Sequence, residues 1–242
     1  MREFLNKDII ITGGSGGNGN AICMKFLNSG ARVHNLDIKK SNLKSKNLVE
    51  YKVDLSKHSE ILKFIKNFKK KKKKILCLVN NAGLSKNPSS KDLLKYWDET
   101  INLNLKAPFF LSIYLKNLLS KEVNSSIINI SSIASKIAMK NNPAYNISKA
   151  GLNALTHSFA FDFSKEKIRV NSICPGYIKT NMTRKSFSNK LQKRVRTNRI
   201  INARYGNPEE IADLVIFLAS KKSSYINAEE IIIDGGLLKK GI

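Results

Sequence analysis

A chain of 242 residues with 42% hydrophobic content can bury one large core, and α/β domains of this length are commonly single. No stretch approaches the ~20 apolar residues of a membrane span, which argues against an integral helical membrane protein. The formal charge of +25 would suit nucleic acid or an anionic surface. Yet only eight of the 43 basic residues are arginines, and lysines are scattered among abundant Asn and Ile; this reads as compositional drift, with no nucleic-acid or membrane partner expected.

In chain order, "DIIIT" (8–12) predicts a buried strand, followed by a glycine turn and a helix through about Ser29. "ARVHNLD" (31–37) and "LVEYKVD" (48–54) are the second and third strands. A helix of 3.6-residue period follows, with Ile61, Leu62, Ile65 and Phe68 on one face. The run Lys69–Lys74 reads as its exposed end, where cations suit the helix dipole. "ILCLVN" (75–80) is the fourth strand, and one long helical region covers about 92–120. "SIINISS" (126–132), a helix over 143–164, "IRVNSICP" (168–175) and "EEIIIDGG" complete the chain. Strands that are continuously apolar are buried on both faces. The expected fold is therefore an α/β single-domain Rossmann fold: a doubly wound parallel sheet of about seven strands with helices on both faces.

The cysteines Cys23, Cys77 and Cys174 lack metal-ligand spacing and sit in apolar contexts. They read as reduced core thiols of a cytoplasmic protein. The N-terminus runs within a few residues into a strand and turn, which leaves no room for a signal peptide. His34, His58 and His157 show no partner pattern and read as structural or exposed; no metal site is expected.

Tyr145 and Lys149 stand four apart in "YNISKAG", so on a helix they share one face. A neighbouring cation favours phenolate, lowering a pKa of roughly 10 by about 1–3 units. Such a tyrosine can exchange a proton with an alcohol or carbonyl oxygen. Ser132 lies thirteen residues upstream of Tyr145. In "TGGSGGNG" the glycines Gly13, Gly17 and Gly19 follow a predicted strand and open a helix, the context a dinucleotide pyrophosphate requires. Asp37 ends the second strand eighteen residues past Gly19. A carboxylate there accepts both hydroxyls of an adenosine ribose and repels a 2′-phosphate, so NAD is expected over NADP.

Together these motifs resemble the short-chain dehydrogenase/reductase family over nearly the whole chain. "TGGSGGNG" is similar to its glycine motif, "VDLS" (53–56) to its adenine segment and "NNAG" (80–83) to the signature after the fourth strand. "WDETINLNL" supplies Asn104, "INISS" Ser132 and "YNISK" Tyr145 and Lys149. "PGYIKT" and "IIIDGG" are similar to the nicotinamide-wrapping and C-terminal segments. The resemblance implies a catalytic set of Asn104, Ser132, Tyr145 and Lys149. Lys149 would lower the Tyr145 pKa and bind the nicotinamide ribose, and Asn104 would hold a water linking Lys149 to solvent. It further implies cofactor contacts from Gly13, Ser15, Gly17, Asn18, Gly19, Asp37, Asp54, Leu55, Asn81, Ala82, Gly83, Tyr145, Lys149, Pro175, Gly176, Ile178 and Thr180. Asn18 departs from the aliphatic residue usual between the last two glycines. A cofactor part (about 1–105), a catalytic part (about 106–242) and a substrate lid (about 176–206) would follow, in a homotetramer built on the helices near 99–120 and 145–164.

Five of the eight arginines fall in the lid, which lysine drift does not explain. Arg184, Arg194, Arg196, Arg199 and Arg204, with Lys179, Lys185, Lys190 and Lys193, predict an anionic substrate or one carried on an acidic protein. The motif phrasing is similar to 3-oxoacyl-acyl-carrier-protein reductases, although Asp37 favours NAD and Val123 and Glu166 stand where those reductases carry docking arginines. An NAD-dependent sugar, polyol or hydroxyacid dehydrogenase is the alternative. A catalytically silent nucleotide-sensing or nucleic-acid-binding member is the alternative from another class.

Overall fold

The computed structural model describes residues 3–240 except Lys73 and 86–91, with the side chains of Lys185 and Ser186 also outside the described set. Seven strands form one sheet in the order β3-β2-β1-β4-β5-β6-β7: β1 Asp8–Thr12, β2 Arg32–Asp37, β3 Leu48–Lys52, β4 Cys77–Asn80, β5 Ser126–Ile130, β6 Arg169–Pro175 and β7 Glu230–Ile233. Every pairing is parallel. Side chains alternate across a strand, and β1 shows it: Ile9 and Ile11 enter one core, Ile10 the other. On the first face, helices α1 (Gly17–Asn28) and α8 (Pro208–Ala219) bring Ile22, Phe26, Ile211 and Val215 against the sheet. On the second, α2 (His58–Lys71), α4 (Ala107–Leu119) and α5 (Pro143–Asp162) contribute Phe64, Phe68, Leu111, Leu115 and Phe159. Each such side chain contributes about 1.5–3 kcal/mol of transfer free energy, so both faces of the sheet are strongly covered.

The order places β1 at the point where the chain reverses: β2 and β3 extend one way, β4 onward the other. The crevice beyond the carboxyl ends of β1 and β4 is where open α/β sheets bind ligands.

Two local expectations are corrected. Phe64 (5% exposed), not Leu62 (43%), lies on the buried face of α2. Ile61, Phe64, Ile65 and Phe68 follow the 0, 3, 4, 7 spacing, and Phe64 and Phe68 pack edgewise on Tyr51. The helical region near 92–120 is continuous as expected, with a feature the sequence did not announce: α3 (Leu93–Ile101) passes through a π-turn, Asn102–Lys106, into α4. Pro108 supplies no N–H, so the i→i−4 bond to the Asn104 carbonyl cannot form. The lysine run is not merely solvated either: Lys72 pairs with Asp8 at 2.7 Å and Lys74 with Glu122 at 3.0 Å. His34 is buried, its Nε2 2.7 Å from Asp8, a structural role as expected.

Candidate active site

β5 ends at Ile130, and the chain turns so that Ser131 and Ser132 face opposite ways. The Ser131 hydroxyl is buried and donates to the Lys149 carbonyl at 3.1 Å. Ser132 caps the 3-10 turn Ile133–Ser135, accepting from the Ala134 N–H at 3.1 Å. Its hydroxyl also lies near the Tyr145 phenol and acts to lower the phenol's pKa. Of the two serines, Ser131 is thus tied to the backbone of α5, and Ser132, at the thirteen-residue offset, is the one beside Tyr145.

Tyr145 sits in the first turn of α5, just after Pro143 at its start, and Lys149 follows one turn later. Lys149 is 4% exposed; its Nζ donates to the Ile130 carbonyl at 2.8 Å and lies 5.8 Å from the centre of the Tyr145 ring. The electrostatics correct the sequence expectation. Burial pushes the Tyr145 phenol above its ordinary value, the Ser132 hydroxyl only partly offsetting it. Burial also pulls Lys149 down to about 8, with Cys174 opposing. Nζ is directed at a backbone carbonyl rather than the phenolic oxygen, so low-dielectric surroundings outweigh pair attraction.

Asn104 lies in the π-turn and is fully buried. Its Oδ1 accepts from the Leu84 N–H at 2.9 Å, and its Nδ2 donates to the Leu84 carbonyl (3.0 Å) and the Ser148 hydroxyl (3.1 Å). One amide thereby ties the loop after β4 to α5. Gly83 belongs to the same junction: a Cβ there would lie 3.3 Å from Asn104 Oδ1 and 3.5 Å from Lys149 Nζ. Asn104, Ser132, Tyr145 and Lys149, 45 residues apart in the chain at the extremes, converge on one cleft.

The other wall is the glycine turn. Gly13 has φ +67°, and a Cβ would come 2.9 Å from the Ala82 Cα; at Gly19 it would meet the Gly13 carbonyl at 2.1 Å. Thr12 Oγ1 accepts from the Asn81 and Ala82 N–H groups, both at 2.9 Å, and Asn81 Nδ2 donates to the Thr12 and Gly13 carbonyls. This clamp locks the ends of β1 and β4 together. α1 begins with no side-chain cap and no acidic residue in its first turn, leaving helix N–H groups and a partial positive charge for a phosphate. Asn18 Oδ1 is buried there without a hydrogen-bond partner among the described residues.

Asp37 Oδ2 accepts from the Ser15 N–H at 3.0 Å and Oδ1 from the Lys39 N–H at 2.9 Å. An ionised carboxylate offers about four acceptor sites, so both oxygens retain capacity for ribose hydroxyls while being held in place. Asn35, which the sequence reading did not single out, supports the turn: it accepts from the Gly14 N–H at 2.9 Å and donates to Ser15 Oγ at 3.0 Å. The residues present therefore fit a dinucleotide. Asp54 is engaged locally, accepting from the Ser56 hydroxyl (2.6 Å) and N–H (3.1 Å). Leu55 is buried in the second core.

Pro175 ends β6, paired with Ile233. A Cβ on Gly176 would lie 2.8 Å from Asp234. Ile178 is buried and bridges to Gly206, so the lid closes on itself at its base. Thr180 caps the turn that opens the lid and stands 3.4 Å from where a Cβ on Gly17 would be. The lid contains α6 (Arg184–Ser188) and α7 (Lys190–Thr197). Its basic residues are not equivalent. Arg204 forms a two-pronged ion pair with Glu210 (2.8 and 2.7 Å), whereas Arg196 stacks over the Tyr177 ring at 4.8 Å. Also unanticipated is a network under the site. Glu230 accepts from Asn153 and Lys136 and lies 3.0 Å from His157, and Asn153 Nδ2 donates at 2.9 Å to Ser135, whose hydroxyl donates to the Ser132 carbonyl at 2.6 Å. Only Glu230, as an acidic residue opening the last strand, could have signalled it.

A family model described as Enoyl-(Acyl carrier protein) reductase matches residues 14–238. A 3-oxoacyl-[acyl-carrier-protein] reductase of Thermotoga maritima is 34% identical over 96% of this chain and 98% of its own. An NAD-dependent glycerol dehydrogenase of Listeria innocua is 33% identical, over 97% and 94%. Among solved structures, a 4-hydroxyisoleucine dehydrogenase mutant complexed with NADH and succinate superposes with a TM-score of 0.92 at 31% identity, over 98% of this chain and 100% of that one.

Proposed function

The chain belongs to the short-chain dehydrogenase/reductase family and is an NAD(P)-dependent oxidoreductase of CH–OH groups; from that premise we propose how its residues interconvert a carbonyl and a secondary alcohol. Bound nicotinamide would supply or accept the hydride. In reduction, Tyr145 gives its proton to the substrate oxygen as negative charge develops there, and Ser132 donates a hydrogen bond to the same oxygen. Oxidation runs through the same groups in reverse. Burial keeps Tyr145 protonated near neutral pH, which suits the reductive direction. Lys149 supplies positive charge behind the phenol as the proton leaves. Asn104 holds the loop after β4 to α5, so that Lys149 keeps its place; the family's water would sit beside it.

The observation that carries this reading is the Tyr145 phenol with the Ser132 hydroxyl near it and Lys149 buried one turn on, in a fold whose glycine turn leaves the start of α1 uncapped. NAD is favoured over NADP by the Asp37 carboxylate, which would repel a 2′-phosphate. A 3-oxoacyl thioester is the first substrate class to test, given the 3-oxoacyl reductase relative. The second reading, an NAD-dependent sugar, polyol or hydroxyacid dehydrogenase, draws on Asp37 and on the glycerol and 4-hydroxyisoleucine dehydrogenase relatives. Lid residues 176–206 carry nine basic and no acidic side chains, which favours an anionic substrate or carrier in either case. Assembly as a homotetramer through α4 and α5 is supported by the exposed Phe109, Ile113 and Phe161, the last 81% exposed. Three buried free thiols support a reducing, cytoplasmic setting, and no described helix is long and apolar enough to cross a membrane.

The deciding test is NADH consumption with an acetoacetyl thioester, followed by near-UV absorbance. Turnover establishes the 3-oxoacyl class. Silence there, with NAD reduction on a polyol or hydroxyacid panel, establishes the second.

A further inference from the structure

Among the basic residues of the lid, Arg196 is set apart by its position. Lys190, Lys193, Arg194 and Arg199 are exposed, and Arg204 is consumed by Glu210. Arg196 is half-buried, its guanidinium lying 4.8 Å from the Tyr177 ring centre, and no described side chain or carbonyl accepts a hydrogen bond from it. Stacking on an aromatic face fixes the guanidinium plane while leaving its edge, with five N–H donors, free to grip an anion. The surroundings lead towards the reacting centre. Tyr177 packs against the cluster of Ile133, Ile200 and Leu237, and Ile133 directly follows Ser132. Ile200, one helical turn beyond Arg196, is buried in that cluster, so the end of α7 is anchored there rather than swinging freely. The Asn202 N–H donates to the Gly235 carbonyl at 3.0 Å and secures the next turn.

We propose that Arg196, carried on Tyr177, is the anchor for the carboxylate of a small oxo- or hydroxyacid substrate whose reacting oxygen meets Ser132 and Tyr145. This assignment rests on the oxidoreductase reading of the cleft, which it extends to a substrate class. It also separates one specificity residue from a merely basic surface: a partly desolvated, charge-assisted bidentate pair discriminates by about 10–100-fold, whereas exposed lid cations contribute little.

The experiment compares wild type, Arg196→Ala, Arg196→Lys and Arg194→Ala on acetoacetate and on its neutral ethyl ester. In parallel, the binding of succinate to each NADH-loaded protein is measured by calorimetry. The expected result is a KM for acetoacetate raised about 10–100-fold in Arg196→Ala, with the ester unaffected and Arg194→Ala like wild type. Succinate affinity should fall by a similar factor, and Arg196→Lys should recover it only in part because it lacks the planar fork. Equal loss on acid and ester would make Arg196 a structural residue and overturn the proposal. So would succinate binding that is absent from wild type or unchanged by Arg196→Ala. Displacement of succinate by inorganic phosphate at lower concentration than by free carboxylates would assign the anchor to a phosphate-bearing substrate and overturn the carboxylate. Should neither ketone turn over while wild type binds succinate and Arg196→Ala does not, the anchor stands and the choice of reacting group fails.

Discussion

Replacing Lys149 by Met should make the protein more stable at neutral pH while abolishing turnover. The Lys149 pKa falls from 10.5 to about 8 because the ammonium is buried. A shift of that size, at about 1.4 kcal/mol per unit, corresponds to roughly 3 kcal/mol of charging cost in the folded state. The sign follows from linkage. Below about 8 both folded and unfolded chains are protonated and the whole cost is present; between about 8 and 10.5 the unfolded chain binds the extra proton, so stability rises with pH; above that window the cost is gone. The variant removes this cost but also the hydrogen bond to the Ile130 carbonyl, which offsets about 1–3 kcal/mol at every pH. The pH-dependent part is therefore diagnostic: the stability of wild type relative to Lys149→Met should climb by about 1.4 kcal/mol per pH unit above pH ~8. For a chain of this size, 1 kcal/mol is worth about 2–4 °C in Tm, so urea and thermal unfolding of both proteins from pH ~6 to ~10 will resolve it. A wild-type-minus-variant difference that stays flat across that range would refute the reasoning, whatever its sign.

Tyr145→Phe should lower kcat by at least about 10²-fold while NADH still quenches or enhances fluorescence on binding; retained turnover would remove Tyr145 from proton transfer. With its phenol held above the ordinary value, wild-type oxidation should accelerate steadily as pH rises towards ~10, where the deprotonated base accumulates. A pH-independent oxidative rate in single-turnover experiments would contradict this. Asp37→Ser should weaken NADH by about tenfold and raise the NADPH/NADH affinity ratio, read by fluorescence titration; an unchanged ratio would show that the carboxylate does not read the ribose. Glu230→Ala should cost about 2–4 kcal/mol by leaving Lys136 without its ion partner and Asn153 with one acceptor fewer and should lower kcat more than it raises KM, because the network ends on the Ser132 carbonyl. Glu230→Gln should recover most of kcat, and failure of that rescue would confine Glu230 to a packing role.

Much of this molecule is legible one residue at a time. The continuous apolar runs at 9–11, 77–79 and 127–128 announce strands covered on both faces, because only side chains hidden on alternate sides can all be hydrophobic. The glycines at 13 and 19 are legible because no Cβ fits there, and Tyr145 with Lys149 because four residues complete one helical turn. These properties are local or periodic, and a linear string records them.

What depends on neighbours from distant segments was decided only by tertiary structure. Leu62 and Phe64 both fit a helical stripe, and the choice fell to Tyr51 on β3, which packs edgewise on Phe64. Lys72 and Lys74 look like solvated charges until Asp8 and Glu122 arrive from other elements. Nine lid cations are indistinguishable in sequence, yet Arg204 is paired, Arg196 stacked and others exposed. The pKa of Tyr145 was inverted for the same reason. Spacing places a cation on the same helix face, but dielectric surroundings and the direction of Nζ are set by β5, the π-turn and the loop after β4. Chemical identity and period are properties of the chain, whereas burial and electrostatics belong to the packed assembly of its parts.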